Sequence, residues 1–410
     1  MDFNICLISL NYSPELTGIG KYNGEMCADL ATQGHSISVV TAPPYYPEWK
    51  VHKDFTSKLF REEQVNGVNI QRCPIYVPAE PTTLKRILHL ASFAASSVIG
   101  LVKSKMSKPD VVMLVQPTLF CAPFTLLYAK CVGAKTIMHV QDYEVDALFG
   151  LGMMKGGLLQ KFVCGCESWL MKRFDAVSTI SYSMIENAKA KGVDAGKIIY
   201  FPNWSDTSFV TPNTDGSVLK RQWGFGKNDK VVLYSGNIGK KQGLEVVVEA
   251  AKKFQDDESV KFVLVGSGSY VEELKAISKA AGVDNVYFKP LQPWERVPQM
   301  LALADVHLVV QKKGAADAVL PSKLTNILSA GGHALVTAEA HTELGKIELE
   351  HPKIYHRVEP ENTGAFIDGL SELLARDTQS YNNIARAYAE ANLDKQAILK
   401  RFCSDLESIV

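Results

Sequence analysis

The sequence predicts an α/β protein made of two consecutive Rossmann-like domains, each a doubly wound, mostly parallel sheet. Three observations carry that expectation. Short apolar runs of strand type recur along the chain with helical stretches between them, the alternation that builds βαβ units. The series breaks once, around Phe201-Pro202-Asn203-Trp204, and then starts afresh. The chain has 410 residues, 46% hydrophobic and 21% charged, enough for two or three ordinary globular cores.

Taken in order, residues 4–10 form the first apolar run, and 11–17 a polar loop containing Pro14. Gly18-Ile19-Gly20-Lys21 leads into a helical pattern at 22–31, ended by Gly34. A strand at 37–40 runs into the stiff aromatic stretch from Pro43 to Trp49. Further strands are expected at 68–70, 111–115, 136–140 and 176–180. After the break, the polar stretch with Pro212, Asn213, Asp215 and Gly216 reads as an interdomain linker. The second series has strands at 231–234, 261–265, 286–288, 306–310 and 334–336. Residues 381–410 are helical, with the part from Leu393 onward expected to brace the first half. The domains are therefore 1–203 and 204–392, with 393–410 crossing back.

Composition narrows the function classes. Lys+Arg and Asp+Glu both number 44, so no global charge draws the chain onto nucleic acid. Any anion must be met by local groups. Eight cysteines are scattered, and Cys164-Gly165-Cys166 is neither a redox pair nor a zinc cluster. With no signal peptide in view, the expectation is reduced thiols and a cytoplasmic location. No run of 18 or more uniformly apolar residues stands out as a spanning helix. The nearest, 87–102, is bracketed by Lys85-Arg86 and by Lys103, Lys105 and Lys108. It reads as a buried domain helix with a face suited to an anionic membrane surface, hence as a peripheral attachment.

The loops that carry chemistry follow strands. In QKKGAADAVLPSKLTNILSAGGHALVTA, residues 311–338, Pro321 and Ser322 open a helix and Lys323 falls in its first turn. A cation there works against the helix dipole by roughly 0.3–1 kcal/mol, unless an anion lies between the two. Lys240 and Lys241, after the strand ending at Ser235-Gly236, and Lys21, after Gly18 and Gly20, repeat the arrangement. Three glycine- or proline-opened helix starts with lysines suit phosphate oxygens. Gly18, Gly20 and Gly24 do not make a dinucleotide fingerprint, because Asn23 stands where the third glycine should be and no acid ends the second strand. Gly266 and Gly268 permit a tight turn or close backbone approach to a ligand. No paired DxD occupies a plausible loop, so lysines and helix ends are expected to neutralise the anion, with no metal and no cofactor. His139, Asp142, Glu144 and Asp146 lie directly beyond an apolar strand, and the first two are candidates for handling a hydroxyl-rich substrate.

Several long strings go further. NYSPELTGIGKYNGEM, TAPPYYPEW, LHLASFAASS, HVQDYEVDALFGLG, FPNWS, LYSGNIGKKQGLE and the 311–328 segment, with Lys313 in place of an arginine, resemble the retaining, nucleotide-sugar-dependent glycosyltransferases of the GT-B fold, family 4. Within it the likeness is greatest to the fucosyltransferase group of colanic-acid and exopolysaccharide synthesis. The resemblance spans nearly the whole chain. It implies two Rossmann-like domains facing across a cleft, with closure about 202–212, a nucleoside-diphosphate sugar donor (GDP-fucose favoured), and a lipid-linked oligosaccharide acceptor at the inner membrane face.

Residue by residue, it implies that Gly18 and Gly20 lie near the donor diphosphate. The family's phosphate-binding arginine and lysine fall on Asn237 and Lys241, so the arginine is missing here. Its two acids, seven residues apart, fall on Asp317 or Ala318 and on Asn326 or Thr325. The second is thus replaced by a neutral group, and an asparagine can still bond a ribose hydroxyl. Gly236, Gly266 and Ser322 join the nucleotide side, and the sugar-side group is His139 or Asp142. The catalytic set is then His139, Asp142 and Asp317. Two rivals remain: a nucleotide-sugar 2-epimerase of the same fold, and a non-catalytic sugar-nucleotide-binding subunit.

Overall fold

The computed structural model describes residues 2–15, 18–46, 48–56, 59–80, 82–103, 108–143, 145, 157–313, 321–376 and 380–410. Two compact units emerge: Met1–Pro202 with Leu399–Val410, and Asn203–Ile398.

The first unit is built on eight strands: β1 (Asn4–Ser9), β2 (Ser36–Thr41), β3 (Arg61–Val65), β4 (Val68–Arg72), β5 (Val111–Gln116), β6 (Lys135–Val140), β7 (Ala176–Thr179) and β8 (Ile198–Tyr200). Their order is β3-β4-β2-β1-β5-β6-β7-β8. All neighbours pair parallel except β3 and β4. Every residue of β5 is buried, the pattern of a central strand covered on both faces. The antiparallel hairpin turns at Asn66-Gly67, with φ of 52° and 77°. Positive φ at both positions is what a two-residue type I′ turn demands. Its outer strand, Arg-Glu-Glu-Gln-Val, is charged, as suits a sheet edge in water.

The first helix, Gly18–Thr32, begins earlier than the 22–31 expected, so Gly18 and Gly20 are its opening residues. The helix Thr83–Lys103 is long and apolar enough to cross a membrane by length and composition. It nonetheless buries His89, Phe93, Ala94, Ser97 and Leu101, and Gly100 lies so close to the Cys73 and Val40 side chains that a Cβ would not fit. That face is core. All eight cysteines are free thiols.

The second unit has β9 (Lys230–Ser235), β10 (Val260–Val265), β11 (Val286–Lys289), β12 (Val306–Val309), β13 (Ala334–Thr337) and β14 (His356–Val358). The order is β11-β10-β9-β12-β13-β14, all parallel. One core packs β9 and β10 against the helices Glu245–Lys253 and Thr363–Ala375, and a second gathers around Leu324, Ile327, Leu328 and Val336.

Two expectations change. The polar stretch at 212–216, read as a linker, belongs to the second unit, where Gly216 lies so close to the Leu303 backbone that a Cβ would not fit, and the segment just before it is held in the core. Val210 is fully buried, and the Arg386 guanidinium donates to the carbonyls of Thr207, Val210 and Ser329 at 2.6–3.0 Å. The return to the first unit starts at Leu399, not Leu393. Leu393 is buried in the second core, and its carbonyl accepts from the Ser205 amide at 2.9 Å. Beyond it, Phe402 stacks on Phe201 with ring centroids 4.1 Å apart.

Candidate active site

In the second sheet β9 comes first in sequence, β10 and β11 extend one side, and β12 to β14 the other. The strand order therefore reverses between β9 and β12, and in open parallel sheets ligands settle at the carboxyl ends of the strands flanking such a point. The residues just past those ends are the ones the sequence singles out.

Beyond β9 and β10 the ladder runs on into the loops. The Gly236 amide donates to Val265 O at 2.9 Å, Ile238 N to Ser267 O at 2.8 Å, and Gly266 N to Lys289 O at 3.1 Å. Gly266 has φ of +156° and its Cα stands directly against the Gly236 carbonyl. No Cβ fits there. The Asn237 carbonyl accepts from the Tyr234 hydroxyl at 2.7 Å, which fixes that ring. Asn237 itself is exposed.

The helix Ser322–Ser329 opens behind Pro321 with no acidic residue in its first turn. Lys323 reaches back from it, half-buried, and places Nζ 3.7 Å from the centroid of the Tyr234 ring. A Cβ on Gly236 would meet that same Nζ at 3.0 Å. Among the described residues no carboxylate pairs with Lys323. Burial pushes its pKa down to about 7. A ring face attracts a cation by roughly 0.5–2 kcal/mol, which offsets only part of the desolvation and dipole costs. Among the described residues the site is short of one anion.

The other predicted cations divide. Lys21 pairs with Glu25 in its own helix at 2.8 Å. Lys240 lies in a short 3-10 turn, Lys240–Gln242, and pairs with Glu273 at 2.9 Å. Gly243, at φ of +67°, separates that turn from the helix proper, so Lys240 and Lys241 precede the helix start instead of occupying it. Lys241 is exposed and has no side-chain partner among the described residues.

Of the two positions proposed for the second acid, Thr325 is fully buried and bonds Ser322 O at 2.8 Å. Asn326 is the half-buried one, three residues from Lys323 on the same helix, and its Oδ1 accepts from Ser205 at 2.8 Å. Ser322 is exposed at the helix start. Asp317 and Ala318 lie outside the described residues, as do Glu144 and Asp146.

In the first unit, His139 is 2% exposed at the end of β6. Its Nδ1 lies 2.8 Å from Ser178 Oγ, and its Nε2 lies 3.0 Å from the Gln141 amide nitrogen. With Gln141 donating, Nε2 accepts and the proton sits on Nδ1. Burial pushes its pKa down to about 3. This is the geometry of a satisfied core histidine, and the reading of His139 as a sugar-side catalytic group gains no support from it. Asp142 is exposed two residues past the strand. Gly20 serves packing: Glu15, buried behind it, accepts from the Tyr45 and Tyr46 amides at 3.2 and 3.1 Å and from Asn11 at 2.9 Å. Among the described residues no three His, Cys, Asp or Glu side chains converge as a metal would need.

Sequence reasoning missed Tyr234, the floor under Lys323. The available signal was an aromatic residue near the end of an apolar strand, two positions before a glycine.

The fold and this site place the chain in a defined class. Residues 17–204 match the family described as Glycosyl transferase 4-like domain, and residues 217–390 the family Glycosyl transferases group 1. The chain is 47% identical, over 98% of its length and 99% of the relative's, to the protein of Escherichia coli K12 named "Putative colanic acid biosynthesis glycosyl transferase WcaI". Its backbone is similar to sucrose-phosphate synthase of Thermosynechococcus elongatus, with a TM-score of 0.77 and 15% identity over 99% of this chain and 98% of that one. It is also similar to the Anabaena protein HepE in complex with UDP and glucose, at 0.72 and 16% over 99% and 100%. The protein belongs to these glycosyltransferase families and has their two-domain GT-B fold.

Proposed function

We propose that the protein transfers a sugar from a nucleoside-diphosphate sugar to a lipid-linked saccharide during cell-surface polysaccharide synthesis. The observation that carries this reading is Lys323: a half-buried ammonium on the Tyr234 ring, beside Gly236, with no described carboxylate for a partner. It is poised for a diphosphate. Breaking the bond between the sugar's anomeric carbon and the β-phosphate oxygen leaves negative charge on that phosphate. A preorganised cation and helix-start amides stabilise such charge in a water-poor site.

The relative's name supports polysaccharide synthesis as the setting. GDP-fucose is the favoured donor on family likeness alone; the HepE complex with UDP keeps uridine sugars in the screen. Transfer with retention follows the family: the acceptor oxygen attacks on the face the phosphate leaves, and the acceptor proton passes to a phosphate oxygen. Lys323 and Lys241, with the amides of the Ser322–Ser329 helix, take the role a bridging metal plays elsewhere. Lys85 and Arg86 in the first turn of the Thr83–Lys103 helix, Lys103 at its end and Lys108 beyond it favour an anionic membrane surface, where a lipid-linked acceptor resides; Lys105 lies outside the described residues.

A thermal-shift screen with GDP, UDP and ADP sugars tests the donor. A ligand at 100 times its Kd stabilises by about 2.7 kcal/mol, and the Lys323→Ala variant should lose most of that shift. No shift with any nucleotide sugar would overturn the reading.

A further inference from the structure

A transferase with a lipid-linked acceptor needs a surface that meets the membrane, and the first unit carries a candidate whose assignment rests on that proposed function. The connections β4 to β5, β5 to β6 and β6 to β7 all step the same way along the first sheet. Right-handed crossovers therefore put the helices Thr83–Lys103, Ala122–Val132 and Leu158–Met171 on one face. Ser97 of the first lies near Cys121 at the start of the second, 3.9 Å apart. The second and third share a groove of about 440 Å³ lined by Leu126, Leu127, Lys130, Trp169 and Arg173 among others. Ala134, Thr136 and Asp175 also line it, at the starts of β6 and β7, so it lies at the opposite end of the sheet from His139 and Asp142.

The outward stripes of this layer are inverted relative to a helix facing water. On Leu158–Met171 the exposed positions recur at helical spacing as Leu158, Phe162, Cys166 and Trp169. Leading into and along Ala122–Val132 they are Phe120, Phe124, Leu127 and Cys131. Phe162 is 69% exposed and Trp169 55%. Large apolar side chains exposed in such a series mark an interaction surface.

Charge identifies what the surface meets. The three helices, 21, 11 and 14 residues long, contain one acidic residue, Glu167, and it is buried against Lys191 at 2.6 Å. The cations Lys130, Lys161, Lys172 and Arg173 are exposed around the stripes, and Arg173 lies over the Trp169 ring at 4.5 Å. Asp175 at the groove is taken up by the Thr136 amide and hydroxyl at 2.9 and 2.8 Å. A second copy on a two-fold axis would set these cations against themselves. An anionic bilayer complements them, with aromatic and aliphatic side chains entering the headgroup boundary.

We propose that the N-terminal unit docks on an anionic lipid bilayer through the outward stripes of the two helices Ala122–Val132 and Leu158–Met171, centred on Phe124, Leu127, Phe162 and Trp169.

The test is flotation of the full chain with phosphatidylcholine vesicles, with and without phosphatidylglycerol, alongside acceptor-dependent nucleotide release in detergent. The wild type should float with the anionic vesicles only. The doubly substituted Phe162→Ser, Trp169→Ser protein should lose at least tenfold in partitioning while keeping its melting temperature and detergent activity. Leu127→Ser is the second variant, in case the pair perturbs folding, and it should weaken flotation in the same sense. Undiminished flotation of these variants would overturn the docking surface. So would a wild type that turns over in detergent but never floats, and that result would leave the transferase reading standing. Loss of a stable dimer in the variants, with no vesicle binding by the wild type, would assign the face to a second copy instead.

Discussion

At the level of single residues, Lys323 matters most. Its ordinary pKa of 10.5 is lowered to about 7 by burial. Between those values the unfolded chain holds a proton that the folded chain has released, so this group makes stability rise with pH across that window. A bound diphosphate restores the charge, and binding above pH 7 then takes up a proton. Donor affinity should fall by up to about tenfold per pH unit above 7. Lys323→Arg, which cannot deprotonate, should flatten that dependence, and Lys323→Ala should weaken binding at every pH. Titration calorimetry at about pH 6.5 and 8.5, in buffers of different ionisation enthalpy, reads both effects. A wild-type affinity independent of pH, with Lys323→Ala binding as tightly as the wild type, would show that Lys323 does not meet the phosphates. His139 makes the opposite prediction. Replacing it by Leu strands Ser178 and Gln141 in the core and should cost about 1–3 kcal/mol of stability, measured by urea unfolding. The pH optimum of the surviving activity should not move.

Among the secondary-structure elements, the strand ends are where sequence becomes a site. Gly266→Ala drives a Cβ into the Gly236 carbonyl and should both destabilise the second unit and abolish donor binding, read by melting with and without nucleotide. Arg386→Ala removes two carbonyl bonds under the 205–211 segment and a third to Ser329 and should cost about 2–4 kcal/mol while leaving the phosphate contacts alone.

The central strands were legible because runs such as Val-Val-Met-Leu-Val are buried on both faces. The charged β3 and the three-residue β8 and β14 were not, since short or edge strands hold few apolar residues; the hairpin's turn signal, Asn66-Gly67, was passed over. The 212–216 stretch looked like a linker because it is polar, and the segment just before it is held by Arg386, far away in sequence. Lys323 stood out as a charge in the wrong place. Tyr234 did not, because its role depends on a helix that follows a different strand.

For the molecule as a whole, the sequence anticipated two parallel-sheet halves and a final helix returning to the first, and the family matches and the structure agree on the family and the fold. Lys21 and Lys240, expected to face an anion, are instead paired with Glu25 and Glu273. That concentrates the candidate donor site in the second unit, on Lys323, Lys241 and the helix start. On the proposed reading the first unit takes the acceptor side, and its exposed apolar face on Ala122–Val132 and Leu158–Met171 suits the proposed membrane-resident acceptor.

Release of nucleoside diphosphate from a nucleotide sugar, measured with and without a lipid-linked saccharide, tests the proposed activity at its centre. A transferase releases it much faster when the acceptor is present, and Lys323→Ala should slow that release by roughly tenfold or more, as loss of a preorganised charge-stabilising group does. Turnover of the nucleotide sugar that the acceptor does not accelerate would contradict a transferase, and equal rates in wild type and variant would remove Lys323 from the chemistry.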